Sequence, residues 1–151
     1  MIATRASPTV AASDELLVAV HVATPPDGTG SAYVRLEYRR QMEIAVVGAT
    51  AVVTVESATV TEATVAITAL APTIRRVPEA EEALRDSAGD DAAVAAAASA
   101  AAAAAAPISD VRASERYRRA MAEVIARRAI GAALVRARGG DVAIPASGGG
   151  A

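Results

Sequence analysis

The chain has 151 residues, the length of one domain with tails. Its 15 basic residues, all Arg, stand against 17 acidic ones, and a net charge of −2 argues against a nucleic-acid binder. There is no Cys, which excludes disulfides, thiolate metal sites and iron–sulfur ligation by this chain. The residues are 53% hydrophobic but only 2% aromatic, so the core must be built from Val, Ile, Leu and Ala. Ala buries little area, and at roughly 25 cal/mol per Å² an Ala-rich interface stabilises less than a Leu-rich one. Modest stability alone, and reliance on a partner surface, are therefore expected.

Residues 1–13 are small and polar and read as a tail or a severed linker. From Leu16 to Val22 the chain alternates, with Leu16, Val18, Val20 and Val22 on one face of a strand. Asp14 and Glu15 precede that run where a signal peptide needs basic residues. A loop of Pro25, Pro26, Asp27, Gly28 and Gly30 follows. The alternation resumes over Ala32–Tyr38: Val34, Leu36 and Tyr38 face one way, and Tyr33, Arg35 and Glu37 the other. Ala45–Val55 is the longest strand expected, with Ala45, Val47, Ala49, Ala51, Val53 and Val55 on one face. Gly48 marks a bulge or a close approach within it. Val60–Leu70 pairs antiparallel with that strand through Glu56–Thr59, a connection without an Asn-Gly or Asp-Gly signal to set its register.

The second half is helical. Pro78 suits a first helical position, with Glu79, Glu81 and Glu82 in the first turn, and the helix runs to about Asp86. Asp90 or Asp91 caps an Ala-rich helix that Pro107 ends. Its Ala92–Ala106 run is too short to span a bilayer, which takes about 20 residues. Ser114, or Asp110 one turn earlier, caps the last helix, which runs to Ala137. Tyr117, Met121, Val124, Ile125 and Ala132 form its apolar stripe; Arg116, Arg119, Glu123 and Arg127 form its opposite face. Residues 138–151 are Gly- and Ala-rich and are expected to be disordered. Strands followed by helices predict an α+β domain, a small antiparallel sheet packed on one face by a three-helix bundle.

Little in the chain can carry catalysis. His21, the one His, shares a face with Leu17 and Ala19 and reads as a core or edge residue without a partner acid or base. No Gly-x-Ser-x-Gly elbow occurs, and one His without Cys does not make a metal site. Tyr33 and Arg35 are the better candidates because they share the strand face not committed to the core. An aromatic ring beside a guanidinium can cover a flat heterocycle and bind an oxygen or phosphate. By spacing alone the same pair also fits a solvated strand edge.

Two blocks decide the family expectation. GSAYVRLEYRRQMEIAVVGATAVVTV, from Gly30 to Val55, and PISDVRASERYRRAMAEVIARRAIGAAL, from Pro107 to Leu134, occur in that order. Together they resemble the C-terminal domain of the FAD-binding (medium) subunit of molybdenum hydroxylases, the flavoprotein of the aerobic carbon monoxide dehydrogenase and xanthine dehydrogenase family. The resemblance covers roughly residues 14–137. It implies a three-stranded antiparallel sheet backed by three helices, with Leu16–Val22 resembling the segment that leads out of the FAD-binding domain. It also implies that Tyr33 and Arg35 lie near the flavin, and that Arg39 and Arg40 match an Arg pair with a structural or interface role. Glu43 stands where many relatives carry Asp.

In such enzymes electrons from a molybdenum centre pass through two iron–sulfur clusters to FAD. The implied partners are thus a FAD-binding domain, an iron–sulfur small subunit and a molybdopterin large subunit, with no nucleic acid and no membrane span. The family's Gly-rich pyrophosphate segments belong to the FAD-binding domain, and no GxGxxG occurs here. This chain alone is therefore not expected to retain FAD or to be catalytic by itself. Its start suggests a truncated gene product, a split subunit or a mis-called start. The Arg and Ala bias suggests a GC-rich bacterial genome, and a soluble cytoplasmic protein is the default. The competing reading is a non-catalytic α+β interaction module that docks a partner on its Arg-rich helix face.

Overall fold

A computed structural model describes residues 11–39 and 42–143. Four strands form one antiparallel sheet in the order of the chain: β1 (Thr29–Leu36), β2 (Val47–Glu56), β3 (Thr59–Thr68) and β4 (Arg75–Arg76). Three helices follow, α1 (Pro78–Leu84), α2 (Asp91–Ala104) and α3 (Glu115–Ala137), and pack on one face of the sheet. The expected α+β architecture is therefore present, with one short strand more than expected. β4 was not visible in the sequence because two residues are too few to show a period.

The register assigns the faces. Val34 pairs with Ala49 and Ala49 with Ile67; Ala32 pairs with Ala51 and Ala51 with Val65. All six are buried and form the covered face with Val47, Val53, Val60 and Ala63. α3 lies across β1 and β2, α1 packs on β3, and α2 fills the space between α1 and α3. The seam is built from small residues: Ala97, Ala98 and Ala101 of α2, and Ala122, Ala126, Ala129 and Ala133 of α3, are all buried. Gly30 shows how close this packing is. A Cβ built there would lie 2.1 Å from the Ala133 carbonyl oxygen and 2.3 Å from the Ala137 nitrogen, so helix backbone rests directly on strand backbone.

The β2–β3 connection closes tightly without the usual turn residues. Ser57 and Ala58 take φ of 49° and 70°, so both central residues of the two-residue turn are left-handed, as a type I′ hairpin requires. Glu56 pairs with Thr59, and the bulge falls at Thr54/Val55. Gly48 is accordingly a close approach, with no bulge beside it.

The helix caps follow the expected chemistry. Pro78 opens α1, Asp90 accepts from the Ala93 N–H at 2.9 Å, and Ser114 accepts from the Tyr117 N–H at 3.2 Å. Glu81 of α1 is buried and ties the helix to the sheet: it accepts from the Val65 N–H at 3.1 Å and from Arg76 at 2.6 Å. Burial opposes its ionisation, but Arg76 and the Val65 N–H outweigh that and hold its carboxyl below the usual range.

Three expectations need correction. Leu16–Val22 forms no strand; Leu16, Val18, Val20 and Val22 are all at least 74% exposed. A strand pattern forms a strand only where a neighbour pairs its backbone. Here the edge strand β1 has its Ser31 carbonyl taken by Arg136 of α3 at 2.8 Å. His21 is consequently exposed and belongs to neither core nor strand edge.

The apolar stripe of α3 is rotated by about one residue from its expected place. Ile125 and Ala132 are buried, but Tyr117 and Val124 are 43% and 36% exposed, while Arg118 points inward at 5%. Close approach selects Ala over larger side chains on the buried side. Arg118 is tolerated there because it donates to the Val46 carbonyl at 2.7 Å and pairs with Asp110 at 2.7 Å. Residues 1–10, Arg40 and residues 144–151 lie outside the described residues, and so do most of both expected tails. No helix among the described residues is long and apolar enough to cross a membrane.

Candidate functional site on the open face of the sheet

The face of the sheet away from the helices carries both expected site residues. Two adjacent rows cross it. Tyr33 pairs with Thr50 and Thr50 with Ala66; Arg35 pairs with Gly48 and Gly48 with Thr68. Alternation along β1 places Tyr33 and Arg35 on this side, opposite Ala32 and Val34 in the core, and Glu37 follows just past the strand's end.

Gly48 makes the local shape. A Cβ there would meet Thr68 Oγ1 at 2.2 Å and the Tyr33 phenolic oxygen at 2.9 Å. The tyrosine therefore leans along the sheet over the glycine, into space that any other residue would fill. Tyr33 remains 46% exposed, so much of its ring is open to a ligand. Thr68 Oγ1 is buried and has no hydrogen-bond partner. A half-exposed ring, a guanidinium and a glycine cradle together make a surface that can cover a flat heterocycle.

The sequence singled out Tyr33 and Arg35 and gave Glu37 no role. The structure brings Glu37 into the group. Its side chain is wholly buried, and Oε2 lies 2.6 Å from Arg35 Nε. Neither carboxylate oxygen has a hydrogen-bond partner, so the contact with Arg35 is an ion pair. A charged residue two positions beyond Arg35 was the available signal, but its burial is a property of the folded chain.

The β1–β2 connection and the α2–α3 loop meet at one end of the domain. Tyr38 donates to the Arg112 carbonyl, Arg39 pairs with Glu43 at 3.0 Å, and Arg112 approaches Glu43 at 3.8 Å. The Arg39 hydrogen bond and the Ile44 N–H hold the Glu43 carboxyl below the usual range. Asp110 is depressed further, to about 2, chiefly by Arg118, with help from the Arg112 and Ala113 N–H groups. Beside this charged knot Tyr38, Met42, Ile44 and Val111 are exposed. The Arg face of α3 is internally matched, with Arg119 on Glu115 at 2.9 Å and Arg127 on Glu123 at 3.8 Å.

An apolar cavity of about 270 Å³ opens between β1 and α3, lined by Val34, Arg128, Gly131, Ala132, Val135 and Val142. Val34 belongs to the covered face, so this cavity is separate from the Tyr33 site. Among the described residues no cluster of His, Cys, Asp and Glu can hold a metal ion.

The same architecture occurs in known proteins. Residues 32–133 match the family described as CO dehydrogenase flavoprotein C-terminal domain. The carbon monoxide dehydrogenase medium chain of Afipia carboxidovorans is 35% identical over 124 residues, 82% of this chain and 43% of that protein. Among solved structures, carbon monoxide dehydrogenase from Hydrogenophaga pseudoflava superposes with a TM-score of 0.73 at 37% identity, over 76% of this chain and 40% of that one. Reconstituted CO dehydrogenase from Oligotropha carboxidovorans gives 0.72 at 34% identity, again over 76% of this chain and 40% of that one. The chain thus spans less than half the length of the relatives it matches, and what it shares with them is one domain. It belongs to the CO dehydrogenase flavoprotein C-terminal domain family.

Proposed function

We propose that this domain walls one side of the flavin site in the medium subunit of a carbon monoxide dehydrogenase/xanthine dehydrogenase-type molybdenum hydroxylase, working in the cytoplasm. The observation that carries the reading is the open sheet face, where half-exposed Tyr33 stands beside Arg35 over the Gly48 cradle. Tyr33 would cover the isoalloxazine ring and Arg35 would donate charge-assisted hydrogen bonds to it. FAD, when bound, supplies the redox chemistry; these residues bind the ring, orient it and keep water from one side.

A FAD-binding domain would provide the pyrophosphate contacts, and the iron–sulfur and molybdopterin subunits would dock around it. The exposed run Leu16–Val22 and the apolar tips Met42, Ile44 and Val111 support docking, since isolated domains rarely leave such side chains grouped in water. The Arg face of α3 supports a partner less well, because Arg119 and Arg127 are already paired within the helix.

The test is flavin titration of the chain alone and of the chain fused to a FAD-binding domain. The chain alone should elute colourless from gel filtration, since association must offset an estimated 4–15 kcal/mol of lost translational and rotational freedom without pyrophosphate contacts. In the fusion, Arg35→Ala should weaken FAD binding roughly tenfold or more, because hydrogen bonds to charged groups are worth about 1.5–3 kcal/mol. Tyr33→Ala should weaken it as well. If both variants stay folded and bind FAD like the parent, the face is a solvated edge and the site assignment fails.

A further inference from the structure

We infer that Glu37 is a charge-setting residue for Arg35, and that their pair sets how strongly the site prefers reduced over oxidised flavin. This rests on the reading that Arg35 faces a flavin. Three observations carry it. Glu37 is buried, its side chain is fully shielded from solvent, and its Oε2 lies 2.6 Å from Arg35 Nε. Arg35 keeps 35% of its side chain exposed, and the Glu37 carboxylate approaches its Nε from the buried side as an ion pair. Thirdly, Arg35 shares the open strand face with the ring of Tyr33 by alternation, and Glu37 follows one residue past the end of that strand.

The ion pair is neutral as a unit. Two-electron-reduced flavin carries more negative charge on its ring at neutral pH than oxidised flavin does. An unpaired Arg35 would favour the reduced form; a neutral pair favours it much less. A unit charge a few ångströms away in a protein-like dielectric easily changes such a ratio by tenfold. Glu37 therefore restrains the site from holding reduced flavin too tightly, at no cost to the Arg35 hydrogen bonds that orient the ring.

Binding of oxidised FAD and, anaerobically, of dithionite-reduced FAD is measured on the fusion with a FAD-binding domain. The forms compared are the parent, Glu37→Gln, Arg35→Met and the double variant. Glu37→Gln should raise the ratio of reduced to oxidised affinity by about tenfold, read independently as a rise of about 30 mV in the two-electron midpoint potential. In the Arg35→Met background the same change should have little effect, because the charge it would release is gone. Should Glu37→Gln fail to fold, Glu37→Asp, which withdraws the carboxylate by one methylene, should shift the ratio in the same direction by less. If Arg35→Met alters FAD binding while Glu37→Gln leaves ratio and potential unchanged, this inference is overturned and the flavin-site reading stands. If Arg35→Met also changes nothing, or the fusion binds no FAD, the flavin-site reading fails and takes this inference with it.

Discussion

The two faces of the sheet use small residues for opposite purposes. On the covered face, Gly30 and the alanines bring α3 down until helix backbone touches strand backbone. On the open face, Gly48 leaves a hollow into which one large side chain, Tyr33, leans. A missing side chain is thus a packing device in one place and a site-shaping device in the other. The difference lies in what surrounds it: fixed backbone above Gly30, movable side-chain ends above Gly48.

Matched Gly→Ala substitutions break this comparison most directly. Gly30→Ala should be the most damaging single change, because its Cβ would lie 2.1 Å from a helix carbonyl that cannot rotate away. A destabilisation of about 3 kcal/mol or more is expected, at the upper end for overpacking, and should appear as a large drop in the urea midpoint. An unchanged midpoint would mean that α3 does not sit on β1 as described.

Gly48→Ala should change stability by no more than about 1 kcal/mol, since Ala suits a strand better than Gly and the neighbours it meets are Thr68 Oγ1 and the tip of Tyr33. It should nevertheless displace the tyrosine, visible as shifted Tyr33 ring resonances and, in the FAD-domain fusion, as weaker flavin binding. A Gly48→Ala variant as damaged as Gly30→Ala would erase the distinction between the faces.

The smallest effect concerns the loops that hold the end of the domain, and it appears only in acid. Asp110 has its folded-state pKa depressed from 3.8 to about 2 by Arg118. A depressed carboxylate contributes stability that is fully present above its unfolded value and is lost as pH falls through its folded value. The Asp110 contribution should therefore be complete above about pH 4 and gone below about pH 2. Asp110→Asn should flatten the acid limb of stability against pH within that window and leave its shape near neutrality unchanged. An unchanged acid limb would remove Asp110 from the network.

Most elements were legible in the sequence. Alternation placed β1, β2 and β3 within two or three residues of their ends, and capping residues placed all three helices, because period and caps are local properties. The family resemblance also rested on local blocks, and it singled out Tyr33 and Arg35 on the face where they stand. Partnership was not local. Leu16–Val22 alternates as well as β1 does, yet stays exposed because none of the described strands pairs with it. The stripe of α3 was misplaced by about one residue because hydropathy favours Tyr117 and Val124, whereas close packing favours Ala and admits Arg118, whose terminal nitrogens reach two carbonyls and Asp110. Alternation grouped Glu37 with Tyr33 and Arg35 but gave no sign that its side chain is buried; burial is set by the packed tertiary structure.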